Sequence, residues 1–193
     1  MIPLEESVAV LLCAGLSRRF GPGNKLLALV AGAPLVAHAA SLCAELPFAA
    51  RIAVVPPAEP KLELLLTGFG FDPLVNPAPE NGKDSSLRLG LVRALALDAR
   101  AILVMLGDMP HVGKAHLRAM FTAATDARAA ISQADGAVSP PTLFPAAVAR
   151  SALDHADRPV RSSLLDPARV AASQSNLADY DRPEQFDSFP PVP

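Results

Sequence analysis

Tryptophan is absent from this 193-residue chain, tyrosine occurs once and cysteine twice. Single-stranded nucleic acid is gripped largely by aromatic faces on which bases stack. With 5% aromatic residues, stacking on nucleic acid is a poor reading. Two cysteines, Cys13 and Cys43, cannot frame a secreted disulfide scaffold or a cysteine-rich zinc module. Charge of one sign is missing too. Seventeen basic residues stand against nineteen acidic ones, a net charge of −2. No global basic field gathers polyanions, so any polyanion site must be local. Long apolar runs are also lacking. None approaches the ~18 residues of a membrane span. The first residues carry two glutamates and no basic region, unlike a signal peptide. The expectation is a reduced, cytoplasmic protein with no nucleic-acid or membrane partner.

What is present is a core. Hydrophobic residues make up 51% of the chain and charged residues 19%, which excludes a disordered tail protein. The length favours one domain over residues 1–193. Apolar runs at 7–13 and 101–106 read as buried strands, with further strands at 51–55 and, shorter, at 72–75. Between them, 35–44, 61–66, 85–97 and 114–124 read as helices, with Asp84 or Ser85 as N-cap of the third. Short strands near 131 and 142–144 and a helix at 146–154 follow. The proline-rich end, 182–193, reads as a surface strap or a disordered end. The alternation predicts an α/β domain with a mostly parallel, covered sheet.

In such a sheet, ligands bind beyond the carboxyl ends of the strands. The loop after the first strand holds Gly15, Ser17, Arg18, Arg19, Gly21, Gly23 and Lys25. Glycines let backbone N–H groups approach an anion, and the cations bond phosphate oxygens. The loop matches neither G-x-G-x-x-G nor G-x-x-x-x-G-K-[ST], and an ordinary basic surface loop is an equal reading of its composition. Asp108, in Gly107-Asp108-Met109-Pro110, ends the best strand and is placed to hold Mg²⁺, or to cap the next helix. Gly82, Ser85 and Ser86 precede or open a helix whose free N–H groups favour anions, and simple capping is the alternative. His111 reads as an exposed loop histidine. His111 and His116 are not spaced as a zinc pair. Cys13 reads as a small core residue.

These segments in this order resemble the MobA-like nucleotidyltransferases of molybdenum cofactor biosynthesis. The carriers are Leu12-Cys13-Ala14-Gly15-Leu16-Ser17-Arg18-Arg19-Phe20-Gly21 with Asn24-Lys25-Leu26-Leu27. Asn76-Pro77, Gly82, Ser85-Ser86-Leu87 and Gly90-Leu91 follow, then Gly107 to Pro110, then Asp179-Tyr180-Asp181-Arg182-Pro183-Glu184. The resemblance implies a Rossmann-like nucleotidyltransferase fold of the nucleotide-diphospho-sugar transferase type, with helices on both faces of the sheet. It also implies an NTP donor and Mg²⁺. Ala14, Gly15, Ser17, Arg19 and Lys25 would hold the nucleotide and its triphosphate. Gly82, Ser85 and Ser86 would lie by the base and ribose. Asp108 and Asp181, with Asp179 less directly, would bind metal. Lys25, Arg19 and Asp108 would be catalytic.

Ala14, with the Ser85-Ser86 pair, looks more like the cytidylyl branch, which uses CTP and molybdopterin, than the guanylyl branch, which reads L-A-G-G. The sequence departs from the family at Val138-Ser139-Pro140-Pro141, where many relatives read G-H-P. It departs again at Asp157-Arg158-Pro159-Val160-Arg161, where they read G-D-x-G-A-R. Two further readings therefore stand beside the first. One is the same chemistry with GTP or a sugar or polyol phosphate. The other is a non-catalytic nucleotide-binding chaperone for a molybdoenzyme.

Overall fold

A computed structural model describes residues 2–17, 19–21 and 23–187. Arg18 and the last six residues of the proline-rich end lie outside the described residues.

The chain runs β1 (Ser7–Leu12), the small hairpin β2 (Leu29–Val30) and β3 (Ala33–Pro34), α1 (Leu35–Ala44), β4 (Ala50–Val55), α2 (Pro60–Gly68) and β5 (Asp72–Val75). It continues through α3 (Lys83–Leu95), β6 (Ala101–Leu106), α4 (Lys114–Ala123), β7 (Ala130–Ala134), β8 (Ala137–Pro145), α5 (Ala146–Leu153), β9 (Ala168–Ala171) and α6 (Glu184–Asp187). Seven strands form one sheet in the order β5-β4-β1-β6-β8-β7-β9. The first four lie parallel, β8 runs antiparallel to β6 and β7, and β9 lies parallel to β7.

The strand sequences follow from burial on both faces. Every residue of β6 is buried, so AILVML has no reason to alternate. Successive residues of β1 serve opposite layers. Ala9 and Leu11 pack with α1, α2 and α4, whereas Val8 and Val10 pack with α3 and α5. At the second layer, α3 lies so close that a Cβ on Gly90 would stand 2.6 Å from Val10 Cγ1. Only a residue without a side chain fits that contact.

Three expectations need correction. The N-cap of α3 is Gly82, and neither Asp84 nor Ser85 caps it. Asp84 sits in the first turn and accepts from the Val160 amide at 2.8 Å and the Arg88 guanidinium at 2.8 Å. The region after Ala130 is more regular than its sequence suggests, since β7 and β8 pair along their length around one bulge and β9 adds an edge. His111 is buried rather than exposed, with Nε2 2.9 Å from the Tyr180 hydroxyl.

Candidate active site

Strands β1 and β6 are neighbours in register, Leu12 opposite Leu106. Their carboxyl ends therefore deliver the Cys13–Lys25 loop and the Gly107-Asp108 turn to one place. Space there is tight. A Cβ on Gly107 would meet Cys13 Sγ at 2.9 Å and Val36 Cγ2 at 3.2 Å, so glycine lets the turn settle on the core. Burial, and then the Asp108 charge, push the Cys13 thiol far above its ordinary range. A thiol so held is not a thiolate nucleophile.

Lys25 is aimed inward by local structure. The Asn24 side chain accepts from the Leu26 amide at 3.0 Å and caps a single 3₁₀ turn at Lys25–Leu27. Ser17, at φ +47°, accepts from the Lys25 amide at 3.3 Å through its hydroxyl. A non-glycine residue in that region is strained by ~1–3 kcal/mol, and strain of this kind concentrates at functional loops.

The Lys25 ammonium is buried, with 7% of its side chain exposed. It donates to Asp108 Oδ2 at 2.6 Å and to Asp181 Oδ1. Arg19 closes on the other oxygen of Asp181 from the solvent side. Burial alone would lower the Lys25 pKa, but the charges and hydrogen bonds of Asp108 and Asp181 outweigh it and the pKa rises. Burial likewise opposes ionisation of Asp181. Lys25, Arg19 and Lys83 together overcome it and hold the carboxyl below its ordinary range.

Asp181 reaches this point through an aromatic strap. The Tyr180 amide donates to the Asp108 carbonyl at 3.0 Å, and the Tyr180 hydroxyl meets His111. Phe186 packs on Phe20 and edge-on against Tyr180. Gln185 Oε1 accepts from the amides of Asp181 and Arg182 at 2.8 and 2.9 Å, which fixes the turn.

The carboxylates also form a group that could hold a cation. Ligand atoms of Asp108, Asp179 and Asp181 lie within 4.8 Å of one another. Asp108 Oδ1 is buried and has no hydrogen-bond partner among the described residues. A buried acceptor left unpaired is costly, and a divalent cation would satisfy it. An all-oxygen donor set suits Mg²⁺ or Mn²⁺.

A cleft of about 310 Å³ opens above these groups. Ala14, Gly15, Ser17, Arg19, Lys25, Gly82, Ser86, Asp108 and Asp181 all line it. Ser85 does not. Its hydroxyl donates to the Gly82 carbonyl at 2.8 Å and accepts from Asn76 Nδ2 at 3.0 Å. Asn76 also donates to Ser86 Oγ at 2.9 Å and ties the β5 end to the start of α3. Glu80 and Lys83, which sequence reasoning passed over, line the cleft as well. The signal for Lys83 was its place just after Gly82, at the open N-terminus of α3.

The fold has known counterparts. The MobA-like NTP transferase domain describes residues 9–172. No curated protein matches the chain in sequence. Among solved structures, Rv0371c of Mycobacterium tuberculosis H37Rv is 22% identical with a TM-score of 0.80, over 98% of each chain. That protein has also been solved as a complex with manganese. A nucleotidyl transferase of Methanothermobacter thermautotroptrophicus is 21% identical with a TM-score of 0.75, over 94% of this chain and 96% of that one. The 2-C-methyl-D-erythritol 4-phosphate cytidylyltransferase of Thermus thermophilus is 19% identical with a TM-score of 0.70, over 94% of this chain and 96% of that one. At such identities the likeness is one of fold, the nucleotide-diphospho-sugar transferase-like α/β sheet.

Proposed function

The chain belongs to the MobA-like NTP transferase domain family, and from that premise we propose that it transfers CMP from CTP to a phosphate monoester, most simply molybdopterin, with Mg²⁺. An acceptor phosphate oxygen attacks the α-phosphorus. A new P–O bond forms, the bond to the bridging oxygen breaks, and pyrophosphate leaves with the electron pair. The nucleophile is already an anion, so no strong general base is needed. Catalysis is then positioning and charge neutralisation.

The observation that carries this reading is the Lys25 ammonium held between Asp108 and Asp181 at the mouth of the glycine-bearing loop. Asp108, Asp179 and Asp181 would hold the metal, which supplies charge neutralisation at the α-phosphate when bound. Lys25 then exchanges its carboxylate partners for the triphosphate. Lys25 and Arg19 offset charge gathering on the leaving pyrophosphate, and amides of the Ala14–Ser17 loop approach its oxygens. Gly82 and Ser86 bound the end of the cleft assigned to base and ribose, and Ser85 supports Ser86 through Asn76. Ala14, where the guanylyl branch carries glycine, supports CTP over GTP.

The Pro159-Val160 departure, which prompts the chaperone reading, is packed into the fold. Val160 is fully buried in the α3–α5 layer, and its amide bonds Asp84. The test is pyrophosphate release with each NTP against molybdopterin, sugar phosphates and polyol phosphates. CTP with molybdopterin should turn over, and Asp108→Asn should lower the rate at least ~100-fold. Turnover with GTP or with another phosphate would reassign donor or acceptor. Near wild-type rates in Asp108→Asn would sink the assignment.

A further inference from the structure

Two arginines, Arg161 and Arg169, face a second opening away from the cleft. An open groove of about 400 Å³ lies between the turn at 160–163 and the β7–β9 edge. Its walls are apolar (Ile131, Val138, Leu164 and Pro167), its cations are Arg161 and Arg169, and no carboxylate lines it. Arg161 stands apart from the other arginines. Arg19, Arg88, Arg93, Arg100 and Arg128 pair with carboxylates, and Arg51 donates to three carbonyls. Arg118, Arg150, Arg158, Arg169 and Arg182 are exposed. Arg161 alone among the described residues is a partly buried guanidinium with no partner, and its burial depresses its pKa with nothing to offset it. Asp166, close by in sequence, is taken by Arg128.

The surroundings are short of partners as well. Register places Arg169, Ile131 and Thr142 in one row across the sheet, and so on one face. The buried hydroxyls of Thr142 and of Ser163, two residues after Arg161, have no hydrogen-bond partner among the described residues. A desolvated cation without a counter-charge is unfavourable. A guanidinium fork matches an oxyanion bidentately. One hydrogen bond links the two walls: the amide of Val160, next to Arg161, bonds Asp84, and Asp84 follows Lys83 of the cleft wall.

We propose that this groove binds an organic oxyanion, a phosphate or carboxylate carried on an apolar or ring body, as the far end of the acceptor. That the ligand is the acceptor rests on the nucleotidyl-transfer reading; oxyanion binding by the groove does not. The test is calorimetric titration of the full chain with phenyl phosphate and with inorganic phosphate. Wild type is compared with Arg161→Met, Arg169→Gln and Lys25→Met, and wild type is repeated in saturating CTP and Mg²⁺. Phenyl phosphate should bind wild type and Lys25→Met alike, more tightly than inorganic phosphate, and persist with the nucleotide bound. Arg161→Met and the exposed, fold-neutral Arg169→Gln should each weaken it at least tenfold. Binding lost in Lys25→Met but kept in both arginine variants would assign the anion to the cleft and overturn the proposal, as would equal binding in all four proteins. A chain that fails to bind CTP would sink the transfer reading, while the arginine comparison still decides the groove.

Discussion

At the scale of single residues, Lys25 is the pivot. Its ammonium neutralises two carboxylates that would otherwise repel each other in a half-closed cleft. The signs fix the pH window of this clasp. Asp181 has a lowered pKa, so its contribution is present above the unfolded carboxylate range and lost as pH falls through the folded value. Lys25 has a raised pKa, so its contribution is full below 10.5 and lost as pH rises through the folded value. The clasp therefore holds across neutral pH. Lys25→Met leaves the carboxylates facing each other, and removing one partner of a buried pair costs on the order of 3 kcal/mol. Thermal unfolding should show that loss without divalent cation and a larger Mg²⁺-induced gain than wild type shows. A variant as stable as wild type and indifferent to Mg²⁺ would contradict the clasp.

The histidines titrate in a different window. Burial, then the His38 charge, lower the His111 pKa, and burial lowers that of His116. Each is bound neutral, so stability is full above 6.5 and falls with acid from there. A Tm measured from about pH 7 to 5 should decline, and His111→Gln should flatten part of that decline. An unchanged slope in the variant would show that His111 is not one of the titrating groups.

At the scale of elements, the apolar runs of the central strands were the most legible. Strands β1, β4 and β6 read directly as apolar runs because helices cover both faces. The edge strand β9, Ala-Arg-Val-Ala, was invisible because it carries no apolar run or clean alternation. One buried residue, Ala168, anchors it and pairing to β7 does the rest. Helix α3 was found but its start was misplaced. Gly82, at φ +88°, begins it with no side-chain cap, while Asp84 and Ser85 spend their oxygens on Val160, Arg88 and Asn76. The motif serine Ser85 and the burial of His111 depend on partners nine and sixty-nine residues away, which local pattern does not reveal. Gly90, by contrast, marks a close contact between α3 and β1. Gly90→Ala puts a methyl into Val10 and should cost ~1–3 kcal/mol, read as a lower denaturant midpoint at unchanged slope. A neutral or stabilising substitution would mean that α3 sits further from the sheet.

At the scale of the whole molecule, the fold gathers distant segments at the carboxyl ends of the central strands β1 and β6. The β1 loop, the β6 turn, the start of α3 and the strap at 179–186 converge there, and no helix among the described residues is long and apolar enough to cross a membrane. The first motif, Asp108 and Asp181 were readable in order along the chain. Their convergence on one lysine was not, because the contact spans Lys25 to Asp181. The most direct test is thermal stabilisation by CTP, GTP, ATP and UTP, each with and without Mg²⁺. A ligand at 100 times its dissociation constant adds ~2.7 kcal/mol. The account predicts that CTP stabilises the chain, that Mg²⁺ is required, and that Asp108→Asn abolishes the shift; a protein that no nucleotide stabilises, with or without Mg²⁺, would contradict it.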